Sequence, residues 1–166
     1  MHWYAVYTQP RHEYKVNDRL IKKKIETFLP LVERWSRRKD RQKRIQLPLF
    51  PGYLFVRSLM DPYSHLEILK TEGVVRILGS DGKPVPIPEV QIVGIQTLIR
   101  NGVTITPCAY LKEGMRVRVV NGPLRGIEGI LLKAQFQKHR LVLSVDIIKE
   151  SVSVEIDDFD VEPLTL

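Results

Sequence analysis

Residues 47–57 read Leu47-Pro48-Leu49-Phe50-Pro51-Gly52-Tyr53-Leu54-Phe55-Val56-Arg57, and the fold turns on how this stretch is arranged. Two prolines introduce a run of aromatic, β-branched and leucine residues, the composition of a strand that starts abruptly. Successive side chains of a strand point to opposite faces, so Leu54 and Val56 share one face and Tyr53 and Phe55 the other. Leu54 and Val56 serve a core. Tyr53 and Phe55 either form a second core layer or stand exposed as a protein-binding patch. The pattern leaves those two readings even.

Upstream, Trp3-Tyr4-Ala5-Val6-Tyr7 is a strand that Pro10 stops, and Tyr7 is a third candidate for the aromatic patch. From Arg11 to Lys24 the period becomes helical, with Val16 and Leu20 one turn apart and Ile21 beside them. Lys15, Arg19, Lys22 and Lys23 fall at i, i+4, i+7 and i+8 of that helix and form one basic stripe. Thr27 to Val32 reads as a second strand, with Pro30 marking an edge or bulge. Between Arg34 and Arg44, seven of eleven residues are basic: Arg34, Arg37, Arg38, Lys39, Arg41, Lys43 and Arg44. So dense a run repels itself and belongs in an exposed loop or a frayed hairpin arm.

Downstream, Asp61-Pro62 opens a helix carrying Leu66 and Leu69, and Gly73 is expected to close it. Val74 to Leu78 is a short strand, residues 80–84 a turn, and Pro88 opens a helix with Ile92, Ile95 and Ile99 on one face, ended by Asn101-Gly102. The order β-α-β-β-α-β-α is that of an α+β domain over residues 1–102, an antiparallel sheet with three flanking helices. Residues 103–109 lack a period and read as a linker.

Residues 110–166 change character. Leu141, Leu143, Val145 and Ile147 alternate, as do Val152, Val154 and Ile156. Short alternating strands between Gly- and Pro-containing turns indicate a small β-barrel, with Gly122, Gly126 and Gly129 as turn residues. A helix here is disfavoured: each glycine costs it about 1 kcal/mol, and the alternation makes no helical stripe.

The formal charge is +7, which suggests a polyanionic partner. Residues 1–107 hold 18 Lys and Arg against 10 Asp and Glu, whereas residues 108–166 hold 8 against 9. The basic excess therefore belongs to the first half, which puts nucleic acid there. The N-terminus lacks the shape of a signal peptide and no apolar run is long enough to span a bilayer, so a cytoplasmic protein with no membrane partner is expected. Cys108 is the sole cysteine and forms no intrachain disulfide. His2, His12, His65 and His139 have no partner at metal-ligand spacing, and no glycine-rich phosphate loop carries a lysine-serine pair. Asp157, Asp158 and Asp160 read as a solvated turn, and Cys108 has no basic neighbour in sequence to activate it. The expectation is no enzyme, no metal and no cofactor.

Four segments then carry a resemblance. "EGMRVRVVNGPLRGIEGILL" (113–132) resembles a KOW motif, with Val117, Val119, Gly122, Pro123, Gly126, Ile127 and Gly129 at its characteristic positions. "WYAVYTQPRHE" (3–13), "PLFPGYLFVR" (48–57) and "TEGVVRILG" (71–79) resemble the N-terminal domain of the NusG family of transcription elongation factors. Together they cover nearly the whole chain in the family's order. The long basic run and the absence of inserted domains are similar to specialised paralogues of the RfaH and UpxY kind.

The resemblance implies docking on the clamp helices of the largest RNA polymerase subunit through Tyr7, Phe50, Pro51, Tyr53 and Phe55, with His65 facing the gate loop. It implies contacts to non-template DNA by Lys15, Arg19, Lys22 and Thr71; the charge pattern itself adds Lys23 of the stripe and Arg37, Arg38, Lys39, Arg41, Lys43 and Arg44 of the run as phosphate contacts. The position after Thr71, basic in many specialised members, is Glu72 here. The implied mechanism is a monomer that bridges the clamp, suppresses pausing and promotes antitermination. The KOW domain would recruit Rho or a small-subunit ribosomal protein. Two rivals stay open: a housekeeping factor acting with Rho in termination, and a ribosome-associated RNA-binding KOW protein.

Overall fold

The computed structural model describes residues 1–36, 43–133, 138–157 and 160–164, with only the backbone of Lys133 and Lys138. It divides into two compact units, Met1–Pro86 and Ile87–Leu166.

The first unit runs β1 (His2–Thr8), α1 (Glu13–Lys22), β2 (Glu26–Phe28), β3 (Leu31–Trp35), β4 (Arg44–Pro48), β5 (Tyr53–Ser58), α2 (Pro62–Leu69), β6 (Val74–Ile77) and the two-residue strands β7 (Gly79–Ser80) and β8 (Lys83–Pro84). Its main sheet has the order β2-β5-β1-β6, antiparallel throughout. The aromatic strand β5 is thus an inner one. Leu54 stands opposite Val6 and Val56 opposite Tyr4, and this face buries Val16 and Leu20 of α1 and Ile68 of α2. The other face carries Trp3, Ala5 and Tyr7 of β1 against Arg57, Phe55 and Tyr53 of β5.

Local chemistry sets the element ends. Asp61 caps α2 by accepting the Ser64 N–H at 3.3 Å, and Pro62 fills the first turn, where no N–H is needed. Gly73 does not close the helix as expected. The C-cap is Lys70, and Gly73 comes three residues later, at φ +98°, where a Cβ would lie 2.7 Å from Val16 Cγ2. The expected strand over residues 27–32 is also divided. Pro30 offers no N–H to a ladder, so β2 pairs with β5 while β3 leaves to form a separate hairpin with β4.

The second unit comprises α3 (Glu89–Arg100), β9 (Thr106–Cys108), β10 (Met115–Val119), β11 (Glu128–Lys133), β12 (Lys138–Val145), a 3₁₀ turn (Asp146–Ile148), β13 (Glu150–Asp157) and β14 (Val161–Pro163). Its six strands form one antiparallel sheet in the order β14-β10-β11-β12-β13-β9. The fold class is α+β, and the C-terminal region is built of strands.

Two assignments differ from the sequence reading. Chain order groups helix α3 with residues 1–102, yet it clusters with the C-terminal unit. Its apolar stripe, Ile92, Ile95 and Leu98, is buried. A Cβ on Gly94 would lie 2.8 Å from Leu143 Cδ2, so the missing side chain is what lets the helix approach β12. Gln91 and Asp146 lock the contact reciprocally, Nε2 donating to Oδ2 at 3.0 Å and the Asp146 N–H to Oε1 at 3.2 Å. The expected linker is likewise partly ordered, because residues 106–108 form β9 and pair with Ser151–Ser153.

The KOW-like loop follows its chemistry. Gly122 and Gly126 have positive φ, and the Gly126 N–H returns to the Val119 carbonyl at 2.8 Å. Val117, Val119 and Ile127 are buried. Gly129 is not a turn residue. It sits within β11, where a Cβ would meet the Val142 carbonyl oxygen at 2.5 Å, so glycine is required there by close strand approach.

Candidate docking ridge and nucleic-acid interface

Phe50-Pro51-Gly52-Tyr53 forms a turn in which the Tyr53 N–H donates to the Phe50 carbonyl at 3.0 Å. Pro51 in second place and Gly52 at φ +88° in third give it the type II signature. Two further bonds clamp it. The Thr8 N–H donates to the Gly52 carbonyl at 2.8 Å, and the Gly52 N–H donates to the carboxylate of Glu13 at 2.8 Å. Glu13 is 6% exposed, a buried carboxylate used to hold the turn. Nothing in its sequence neighbourhood signals this role, since its partner lies 39 residues away.

The turn seats Tyr53 beside Tyr7, ring centroids 5.2 Å apart at 45°. The Arg76 guanidinium lies 5.7 Å from the Tyr7 ring, a cation–π contact that adds a charge to the ridge. Tyr7 and Tyr53 are half-buried, and Pro51 and Arg76 are exposed. Sequence reasoning misses Arg76 because an isolated arginine in a strand has no distinguishing pattern.

Phe50 and Phe55 are corrections. They are 2% and 0% exposed. Phe55 packs on Phe28 at 6.0 Å and on Phe50 at 6.2 Å, and Phe28 meets Trp3 at 6.3 Å. The aromatic face is therefore graded: a second core layer at the Trp3 and Phe55 end, an accessible ridge at the Tyr7 and Tyr53 end. His65 is not brought to this ridge. It is half-buried on α2, the helix that covers the opposite face of the sheet.

The basic stripe of α1 is divided too. Arg19 donates to the Glu72 carbonyl at 2.7 Å and pairs with its carboxylate at 3.5 Å. Lys23 donates to the Glu67 carbonyl at 2.9 Å and to Thr71 Oγ1 at 3.0 Å, and pairs with the Glu67 carboxylate at 3.6 Å. Thr71 is itself buried, its hydroxyl donating to the Glu67 carbonyl. These three residues tie α1 to the end of α2, whereas Lys15 and Lys22 stay exposed. Glu72 is the residue that engages Arg19.

The hairpin β3–β4 stands beside α1, linked by the Tyr14 hydroxyl, which donates to the Gln46 carbonyl at 2.6 Å. Trp35 faces Arg44 across the hairpin, and the Arg44 guanidinium lies 5.1 Å from the indole. Arg44 also reaches Glu33 at 3.4 Å. Lys43 and Arg44 are exposed; Arg37, Arg38, Lys39 and Arg41 lie outside the described residues. In the second unit, Arg118 pairs with Glu128 at 2.7 Å. Cys108 does have a basic neighbour in space, Arg140, but burial outweighs it and pushes the thiol up. Among the described residues no group of three or more His, Cys, Asp or Glu is placed to hold a metal, and no helix is long and apolar enough to cross a membrane.

The class so defined is a two-part α+β protein with an aromatic ridge and a basic hairpin on its first unit. The family described as "Transcription termination factor nusG" matches residues 1–96, and the chain belongs to it, among the NusG transcription termination and antitermination factors. Similar proteins include the transcription termination/antitermination protein NusG of Helicobacter pylori strain 26695, 27% identical over 99% of both chains. The protein of that name from Escherichia coli K12 is 29% identical over 82% of this chain and 77% of its own. A solved structure titled "Domain interaction in Thermotoga maritima NusG" covers 99% of this chain and 97% of its own, at 22% identity and a TM-score of 0.58; it shares the fold.

Proposed function

We propose that this protein is a transcription elongation factor that binds RNA polymerase through its first unit and suppresses pausing. The first unit docks on the clamp helices of the largest subunit, with Tyr7, Pro51, Tyr53 and Arg76 as the contacting ridge. Exposed basic residues of α1 and the β3–β4 hairpin hold the adjoining nucleic acid, and the KOW-type unit recruits a further factor, Rho or a small-subunit ribosomal protein. A ligand that prefers the closed clamp raises the occupancy of that state at the expense of the open, paused one. The observation that carries the reading is the accessible Tyr7–Tyr53 pair within the segment matching the family. Accessible aromatic and arginine side chains are the usual anchors of protein interfaces.

The test is binding of the full-length protein to bacterial core polymerase, with transcription through a strong pause as the activity. Tyr53→Ala should weaken binding by about 1–3 kcal/mol and lengthen the pause relative to wild type. No binding by the wild-type chain, or full binding by Tyr53→Ala, refutes the docking. A second reading, assistance to Rho in termination, is favoured by the near-full-length similarity to relatives named for both termination and antitermination. Transcription across a Rho-dependent terminator separates the two: read-through supports antitermination, and increased Rho-dependent release supports the second reading.

A further inference from the structure

We infer that Trp35 is a stacking platform for an unpaired nucleobase, so that the hairpin recognises single-stranded nucleic acid rather than duplex. This rests on the nucleic-acid reading above and adds the side chain on which a base would stack. Trp35 is 60% exposed, although indole is among the side chains with most to gain from burial. It stands at the last paired position of β3, next to the most basic segment of the chain. The Ser36 N–H donates to the Lys43 carbonyl at 2.8 Å, so the ladder extends beyond Trp35 and sets its backbone.

The rest follows from charge and π chemistry. The Arg44 guanidinium lies 5.1 Å from the indole and exposed, and Lys43 beside it is exposed too. A cation next to an exposed ring supplies what an unpaired strand requires: phosphate neutralisation, and an aromatic face on which a base stacks whatever its identity. In a duplex the base faces are already stacked on one another, so the ring offers duplex nothing beyond the charges. The Tyr14–Gln46 bond places the hairpin against α1.

The experiment measures binding of three short ligands to the full-length protein at low salt. These are a thymidine or uridine oligonucleotide, an abasic strand of the same length and charge, and a duplex. Trp35→Ala should weaken the oligonucleotide about five- to a hundredfold, the range for removing one base–aromatic stack, and leave the abasic strand unchanged. Trp35→Phe should keep most of the affinity, and indole fluorescence should be quenched by the oligonucleotide but not by the abasic strand. An equal loss on both strands, no loss on either, or no quenching overturns the stacking role while leaving the electrostatic binding intact. Failure of the wild type to bind any of the three overturns both readings. Unchanged strand binding with weakened polymerase binding assigns Trp35 to a protein interface instead, and likewise refutes the proposal.

Discussion

Replacing Phe55 by alanine distinguishes core from docking surface at the point where sequence pattern leaves them even. Phe55 has no exposed surface, and burying a phenylalanine side chain completely contributes about 1.5–3 kcal/mol. Its ring also meets Phe28 at 6.0 Å and Phe50 at 6.2 Å, and an aromatic pair adds about 0.5–1.5 kcal/mol. Truncation loses those contributions and leaves a cavity that β1 and β5, paired along their length, close only in part, so the expected cost is about 3–5 kcal/mol. Tyr53→Ala is the control: the ring is half-buried and packs on Tyr7, so about 1 kcal/mol is expected. The assay is urea unfolding of the full-length chain in a Trp35→Phe background. Trp3, 6% exposed at the edge of the same cluster, is then the sole indole and reports on the first unit. Polymerase binding measured beside it should fall for Tyr53→Ala with the fold intact, and for Phe55→Ala only in proportion to the fraction unfolded. A cost below about 1 kcal/mol for Phe55→Ala, on the scale of ordinary surface substitutions, refutes the second core layer.

Three further outcomes are expected. Neutralising Lys15 and Lys22 together should lower the salt slope of nucleic-acid binding by about one unit for each phosphate left without its cation, whereas neutralising Arg19 and Lys23 should alter stability and leave that slope nearly unchanged; the reverse ranking, by titration at several salt concentrations, contradicts the assignment. Gly129→Ala places a Cβ 2.5 Å from the Val142 carbonyl oxygen and should destabilise the second unit by about 1–3 kcal/mol, read by thermal melting; a neutral result disproves the close approach. The hydrogen bond from Ser64 holds the Asp61 carboxyl below its usual range. Its stabilising contribution is therefore complete above that range and disappears as pH falls through the lowered value, so the gap in melting temperature between wild type and Asp61→Ala should close on acidification, and a gap constant with pH excludes the cap.

Much of the fold was legible because it rests on periods of two and 3.6. Alternation across β5 separates Leu54 and Val56 from Tyr53 and Phe55, and the spacing of Val16 and Leu20 marks the buried stripe of α1. The Asp61-Pro62 start and the Gly122 and Gly126 turn were legible for a different reason, since each is a local device that depends on its own backbone. What escaped depended on distant chain. Nothing in residues 88–102 says that Gly94 exists to admit Leu143, or that Gln91 will trade hydrogen bonds with Asp146 fifty-five residues on. The division read from sequence, after residue 102, and the one drawn by contacts, after Pro86, differ for that reason: an amphipathic helix advertises a buried face and leaves its partner unnamed.

The candidate site shows the same limit in sharper form. Tyr53 and Phe55 are two residues apart on one face of one strand, yet one is partly accessible and the other wholly buried. Alternation assigns both to the same side, but the difference comes from what else reaches that side: Phe28 from β2 at one end, Tyr7 and Arg76 at the other. Charge behaves alike. Lys15, Arg19, Lys22 and Lys23 form one stripe by spacing, and Glu67 and Glu72, arriving from the far end of α2, engage two of the four. Exposed ion pairs of this kind contribute at most about 1 kcal/mol, too little to decide the fold. On the proposed nucleic-acid reading each nevertheless occupies a cation that a phosphate could use, and a bound phosphate would first have to displace a carboxylate. On the proposed nucleic-acid reading, Glu72, which on its own is an ordinary surface acid, would act on recognition by competing for Arg19. Glu72→Ala should remove that competing carboxylate, leave Arg19 held by the residue-72 carbonyl alone, and raise nucleic-acid affinity, an increase that a merely solvated stripe would not show.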